Sequence, residues 1–328
     1  MGWWQVGADT LADSRFLVSP LAEAIASLKT LERGTAAHPG ERDWLRAHLP
    51  AYRARLGDDP VTALLVRAAL GRNWNATFLT PTPTDERPGI EEELARMRAT
   101  PPETARADLA VSLRGPLPAR LRRDDLPERT ADLLEWVWTR AVLPDWPRRR
   151  HVLEADVVAR TAQLSRRGWA AALEGMRPGM RWMGESRLGI TTDDCPPREL
   201  SGARLMFVPV TPSQTWVSWD ARRYAVVYPC AGALAGAGGG RVSAPEALAR
   251  LLGPGRAVVL ALLGTPKSTT QLVALTGQGL GSVGRHLKVL LDARLVGRRR
   301  SGRSVLYYRT DAGEVLVNAQ GEETGNPS

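Results

Sequence analysis

Residues 268–309 read STTQLVALTGQGLGSVGRHLKVLLDARLVGRRRSGRSVLYYR, the most strongly patterned part of a chain of 328 residues. Ser268 is an N-cap residue type placed just before an apolar-periodic stretch, so a helix is predicted to begin there. A glycine-rich turn at 276–279 separates it from a second helix predicted over 281–293. The inward positions of this second helix are expected to be Val283, Leu287, Leu290 and Leu291.

A β-hairpin is predicted directly after the helix pair. Its first strand runs from Leu295 through three arginines, a turn follows at Ser301-Gly302, and the second strand covers 304–308. Two further helices are predicted upstream, over 245–252 and 256–264. A helix, a helix-turn-helix pair and a hairpin in this order are typical of a winged helix-turn-helix domain, here predicted over 245–310.

The charge distribution singles out the same segment. Residues 245–310 carry 11 Lys and Arg against only Glu246 and Asp292, so their net charge of +9 equals that of the whole chain. A concentration of positive charge in one module is expected of a surface that faces nucleic acid.

We expect the second helix of the pair to lie in the major groove of duplex DNA and the arginine-rich hairpin to follow the backbone or an adjacent minor groove. A run of arginines is more often only a solvated face, and its place beside a recognition helix is what favours DNA contact. The candidate DNA-binding residues are Ser268, Thr270, Ser282, Arg285, His286, Lys288, Arg298, Arg299, Arg300 and Arg303.

The same residues resemble a known family. Gly284-Arg285-His286-Leu287-Lys288-Val289-Leu290, Ala293-Arg294-Leu295-Val296, the arginine run, Gly302 and Tyr307-Tyr308 together look like the ArsR-type winged-helix repressors. The resemblance covers about 65 residues and implies a homodimeric, sequence-specific repressor. Residues 1–230 resemble the uncharacterised N-terminal domain that precedes such winged helices in actinobacterial-type regulators. The segments that carry this resemblance are residues 15–21, 152–156 and 226–229.

Several departures from the family pattern matter. Residues 268–275 contain no cysteine and the tail contains no histidine, so we predict no metal sensing and no cofactor. Gly281 and Gly284 offer no hydrogen bond to a base, and Arg294 stands where a C-cap glycine is usual. The family has a long C-terminal dimer helix. Here the segment 311–328 is predicted to hold only a short helical stub, at about 311–319, followed by a tail. Dimerisation is therefore expected to involve the N-terminal domain.

The region 1–230 is predicted to be a mostly helical domain with an antiparallel β meander, which makes the chain α+β. Residues 231–244 (AGALAGAGGGRVSA) are predicted to be a flexible linker. The predicted helices cover 21–34, 41–56, 60–70, 89–99, 103–112, 128–143 and 148–175, and the predicted strands cover 181–183, 187–190, 205–209, 215–219 and 224–228.

The chain contains 11 tryptophans, none of them in the predicted winged helix. Most are expected in the core, because aromatic side chains dominate buried area. The alternative is an aromatic pocket for a small-molecule effector between the helices and the meander. Its candidate residues are Trp136, Trp138, Trp182, Trp216 and Trp219.

No nucleophile elbow, zinc-protease HExxH motif or Walker motif occurs in the sequence, so we do not expect an enzyme. The absence of a secretion signal or a long apolar run, with two cysteines outside any metal-type spacing, predicts a cytoplasmic protein without membrane contact. The sequence thus predicts a DNA-binding transcription regulator. Two alternatives stay open: a metabolite-processing enzyme domain fused to a DNA-binding module, and an architectural DNA-binding protein with little sequence preference.

Overall fold

The computed structural model mixes helices with several small sheets, as predicted, and divides into two compact units, Met1–Leu234 and Ala235–Ser328. This division falls within the predicted linker, of which residues 231–243 lie outside the described part of the chain. Within that described part no helix is long and apolar enough to cross a membrane. The described residues are 2–37, 39–71, 74–84, 89–173, 176–191, 195–230, 244–264, 267–276, 278–301 and 304–318.

The most buried helix of the N-terminal unit spans Pro20–Arg33. Its start follows from local chemistry, since the Ser19 hydroxyl accepts a hydrogen bond from the backbone N–H of Ala22 and Pro20 occupies the first turn. It ends at Gly34, whose φ of 65° is a left-handed conformation that glycine adopts without strain. This helix is α2 in the following order: α1 Ala8–Ala12, α2 Pro20–Arg33, α3 Pro39–Asp58, α4 Pro60–Ala69, α5 Ile90–Arg98, α6 Pro102–Leu113, α7 Leu126–Val137 and α8 Trp146–Leu173.

The predicted helices are confirmed to within a few residues, with two differences. Helix α7 continues into one π-helical turn at Trp138–Val142, which accounts for the predicted end at 143. Helix α8 is interrupted at Gly168, where φ is 72° and the backbone is not helical, so the prediction of one unbroken helix over 148–175 is wrong.

Two four-stranded sheets accompany these helices. The first has the order β3-β4-β1-β5 and the second the order β2-β6-β8-β7. The predicted strands all exist, but the strands at residues 2–5, 15–16 and 198–199 were not expected. Their bounds are β1 Gly2–Gln5, β2 Arg15–Phe16, β3 Arg181–Trp182, β4 Arg187–Thr191, β5 Arg198–Glu199, β6 Arg204–Val210, β7 Trp216–Trp219 and β8 Arg223–Pro229.

The prediction of a single antiparallel meander is wrong. The strands are divided between two sheets. In the second sheet, β8 pairs in parallel with β6 on one side and antiparallel with β7 on the other. The reason is that β6 and β8 are buried on both faces, which is typical of central strands with near-continuous apolar runs. Alternate residues of β6 pack into two different hydrophobic cores, one on each face of the strand. Met206 and Val208 pack with the helices, while Leu205 and Phe207 pack with β1, β4 and the end of α8.

A buried ion pair joins three elements of this unit. Arg149 of α8 donates to the carboxylate of Glu23 on α2 at 2.7 Å, and both side chains are at most 2% exposed. The backbone N–H of Thr211, just after β6, donates to the other Glu23 oxygen at 2.8 Å. Because an unpaired charge at such a depth is strongly destabilising, these contacts fix α2, α8 and the end of β6 against each other.

The C-terminal unit has the predicted order of elements. Its core contains the predicted inward residues Val283, Leu287 and Leu290, which pack with Val259 and Leu272. Its described strands form one antiparallel sheet of order β10-β11-β9. The elements are α9 Glu246–Leu252, α10 Pro254–Leu262, β9 Lys267–Ser268, α11 Thr269–Thr276, α12 Leu280–Asp292, β10 Val296–Ser301, β11 Ser304–Arg309 and α13 Asp311–Asn318.

Candidate nucleic-acid interface

Helix α11 begins with a reciprocal capping box. The Ser268 hydroxyl accepts from the backbone N–H of Gln271 at 3.2 Å, and the Gln271 side chain accepts from the backbone N–H of Ser268 at 2.8 Å. Ser268 as the N-cap is therefore confirmed. Its hydroxyl keeps one proton to donate outward, while the side chain of Thr270 lies outside the described residues.

Helix α12 has one apolar face and one cationic face. Val283, Leu287 and Leu290 are buried, whereas Arg285 and Lys288 are exposed and lie three residues apart, on the same side of the helix. The exposed side also carries Gly281 and Gly284, and a Cβ built at either glycine would have no neighbour within 4 Å. The backbone of the first two turns is thus unusually accessible beside the two cations.

The prediction that His286 faces outward is wrong. His286 is half-buried, and its ring lies so close to Gly255 of α10 that any side chain there would overlap it. Its Nε2 is 3.4 Å from the hydroxyl of Ser282, which is itself half-buried and donates to Gln278 at 3.1 Å. Burial, then Arg256 and Arg285, lower the pKa of His286, so at neutral pH the ring brings no charge to the surface.

The hairpin of β10 and β11 carries the second group of cations. It pairs from Val296 with Arg309 to Ser301 with Ser304, and Arg298 and Arg299 are exposed on opposite faces of β10 because side chains alternate along a strand. The side chain of Arg300 and the whole of Arg303 lie outside the described residues.

The exposed cations of α12 and β10 are not neutralised locally. Within the described residues, no carboxylate forms an ion pair with Arg285 or Lys288 of α12, or with Arg298 or Arg299 of β10. Arg309 is different, because it donates to the Leu260 and Ala261 carbonyls at the end of α10 and pairs with Glu314 at 3.1 Å. The +9 of this segment therefore includes structural cations as well as free ones.

The last helix of the described chain, α13, begins at Asp311, where the stub was predicted to start. Helix α13 has eight residues, and Leu316 and Val317 pack against the core of their own unit. Gly313 approaches the Leu295 backbone too closely for any side chain. Over its described residues, this helix therefore packs on the core of its own unit.

The five tryptophans predicted to line a pocket are not brought together. Trp216 and Trp219 of β7 line a cavity of about 740 Å³ within the N-terminal unit. Trp138 instead meets Trp146 edge to face, with centroids 5.0 Å apart, and Trp136 lies under Arg55. Trp182 packs against the smaller core on the other face of β6 and β8.

The chain matches no protein-family model, no curated protein and no solved structure.

Sequence reasoning missed most of the cavity wall. Trp3 and Trp4 come from β1, Trp74 follows α4, and Lys29 lies on α2, so residues far apart in the sequence converge there. The unusual Trp3-Trp4 pair was the one local signal that could have pointed to it. Among the described residues no three or more His, Cys, Asp or Glu side chains are arranged to hold a metal, and Cys195 and Cys230 are both free thiols.

Proposed function

We propose that this protein is a transcription regulator that binds duplex DNA through a winged helix-turn-helix, with α12 as the recognition helix and the β10–β11 hairpin as the wing. The observation that carries the proposal is a set of exposed cations on these two elements that form no ion pair with a described carboxylate: Arg285, Lys288, Arg298 and Arg299. Cations left without local carboxylates are free to neutralise phosphates and release counterions.

The two elements have different tasks. Arg285 lies in the first half of α12, the part of a recognition helix that reaches base edges, and its guanidinium can contact a guanine in bidentate fashion. Lys288 and the wing arginines contact phosphates, which position the protein but carry no sequence information. The side-chain-free surface at Gly281 and Gly284 lets the helix backbone approach the groove closely.

We propose further that the regulator is a homodimeric repressor. A two-fold dimer reads two half-sites about one helical turn apart, so its operator is an inverted repeat. Because α13 packs on its own unit, the dimer contacts are assigned to the N-terminal unit.

Charge reversal tests the assignment of the recognition helix. Arg285→Glu is compared with Arg250→Glu, which makes the same charge change at an exposed arginine of α9 in the same unit. At about 0.15 M salt, Arg285→Glu is expected to weaken operator binding by roughly tenfold to a hundredfold, as for loss of one base or phosphate contact. Fluorescence anisotropy with a labelled operator measures both variants.

The control should bind within about threefold of the wild type, since Arg250 lies on neither the recognition helix nor the wing. Equal affinity of Arg285→Glu and wild type would remove α12 from the interface. Similar affinity of the wild type for the operator and for unrelated duplexes would favour the architectural alternative, in which the two glycines leave little base readout.

A further inference from the structure

The N-terminal unit contains a cavity that the DNA-binding proposal does not use. Its volume of about 740 Å³ lies within the range of about 300–1,000 Å³ that is usual for small-molecule sites. Strands β1, β4, β5 and β7, helix α6, the end of α2 and the segment after α4 all contribute to its wall. The wall is thus assembled from elements that lie far apart in the sequence.

The wall is positively charged. Lys29, Arg33 and Arg198 line the cavity, and none of these three forms an ion pair with a described carboxylate. The carboxylate in the described wall belongs to Glu32, and it already accepts a hydrogen bond from the Tyr52 hydroxyl at 2.7 Å. As far as the described wall is concerned, these cations are therefore available to an anion from solution.

The wall is also aromatic. The Lys29 ammonium lies 4.9 Å from the ring centroid of Trp216, and the Arg198 guanidinium lies 4.1 Å from that of Trp219. Trp219 in turn meets Trp74 edge to face, with centroids 4.7 Å apart. The two cations lie over the indole rings, so a guest that packs against this wall meets aromatic surface and a charge partner together.

The wall also contains polar groups without partners. Gln214, Trp216 and Ser218 are each at most 5% exposed, and within the described structure the Gln214 Oε1, Trp216 Nε1 and Ser218 Oγ atoms have no hydrogen-bond partner. An unsatisfied buried polar group is unfavourable, and these three atoms have almost no accessible surface, so a guest reaches them only after their side chains shift.

We propose that this cavity binds a small planar aromatic anion, of the class of aromatic carboxylates. The ring stacks among the tryptophans, and the carboxylate pairs with Lys29 and Arg198. Burial, then the Arg33 and Arg177 charges, lower the pKa of Lys29 to about 8, so a bound anion offsets the repulsion among these cations.

Titration calorimetry on the full-length protein tests both parts of the proposal with 2-naphthoate, its neutral analogue 2-naphthamide, and acetate. We expect saturable 1:1 binding of 2-naphthoate that is at least about tenfold tighter than that of either other compound, since a charge-assisted hydrogen bond contributes that much. Quenching of tryptophan fluorescence should follow the same isotherm, because the ring lies against the wall.

Two pairs of variants locate the site. Arg198→Gln should weaken 2-naphthoate binding about tenfold and leave 2-naphthamide unchanged, whereas Arg181→Gln, an exposed arginine of β3 outside the wall, should change neither. Trp219→Leu should weaken both compounds, and Trp182→Leu, which changes a tryptophan outside the cavity, should weaken neither.

Equal binding of the acid and the amide, an unaffected Arg198→Gln variant, or no saturable binding of 2-naphthoate would overturn the proposal. Arg198 is exposed, so its replacement is not expected to impair folding. The assay contains no DNA, so its failure and a failure of the DNA-binding proposal are distinguishable.

Discussion

Arg294 closes helix α12 in a conformation that normally belongs to glycine. Its φ is 57°, its backbone N–H donates to Leu291 at 2.9 Å, and that of Leu295 donates to Leu290 at 3.0 Å. These two bonds form a Schellman motif with arginine at the left-handed position. Arginine stands here where a C-cap glycine is usual, yet the backbone keeps the usual geometry, so the arginine is strained.

Replacement of this arginine by glycine should therefore stabilise the end of the recognition helix. For Arg294→Gly we expect the local free energy of opening to rise by roughly 1 kcal/mol, because a side chain in left-handed backbone is unfavourable by about that amount. Hydrogen exchange of the amides in 290–295 measures it. Arg294→Ala removes the same side chain but keeps the Cβ, so equal protection in the two variants would contradict this explanation.

Helices α2 and α5 are joined through one buried carboxyl group. Glu93 of α5 accepts from the backbone N–H of Leu21 at 3.0 Å and from the Ser19 hydroxyl at 3.1 Å, and it is 6% exposed. Burial outweighs these bonds and raises the pKa of Glu93 to about 7. The folded unit thus holds a proton there that the unfolded chain has already released at mildly acidic pH.

The pH dependence of stability follows from this shift. From its ordinary value of 4.5 up to about 7, the folded state binds more protons at Glu93 than the unfolded state does, so this group makes stability fall as the pH rises. Glu93→Gln should remove roughly 2.5 kcal/mol of that decline between pH 5 and 8. Urea unfolding followed by tryptophan fluorescence reports on this unit, because all the tryptophans precede residue 220.

The matched control is Glu91→Gln, which changes an exposed carboxylate of the same helix and should keep the wild-type slope. If Glu93→Gln also kept the wild-type slope of the free energy of unfolding against pH, Glu93 would be ionised in the folded wild-type protein at pH 5.

The start and end of a helix could be predicted where neighbouring residues in the sequence determine them, whereas the pairing of β-strands could not. The start of α2 at Ser19-Pro20 and its end at Gly34 could be read directly from residue types, as could the capped start of α11 at Ser268. The parallel pairing of β6 with β8 could not, because nothing within either strand specifies its neighbour. Strand β1 has only four residues, and its partner in β4 lies more than 180 residues away.

At the scale of the whole molecule, the two units carry separate kinds of chemistry. Within its described residues, the C-terminal unit concentrates surface cations without ion-pair partners on a helix and a hairpin. The sequence identified these residues, apart from the orientation of His286. The N-terminal unit contains the cationic, tryptophan-lined cavity, of which the sequence anticipated Trp216 and Trp219. Trp3, Trp74 and Lys29 were missed because only the tertiary fold brings them together.

The central claim, sequence-specific binding of duplex DNA, is tested most directly by selection from genomic DNA. Sheared DNA from the organism that encodes the chain is incubated with the full-length protein at about 0.15 M salt, which screens weak electrostatic contacts, and the retained fragments are sequenced. Enrichment of a short inverted repeat with half-sites about one helical turn apart is the predicted result. Retained fragments with the same sequence coverage as the input, or no retained DNA at all, would contradict it.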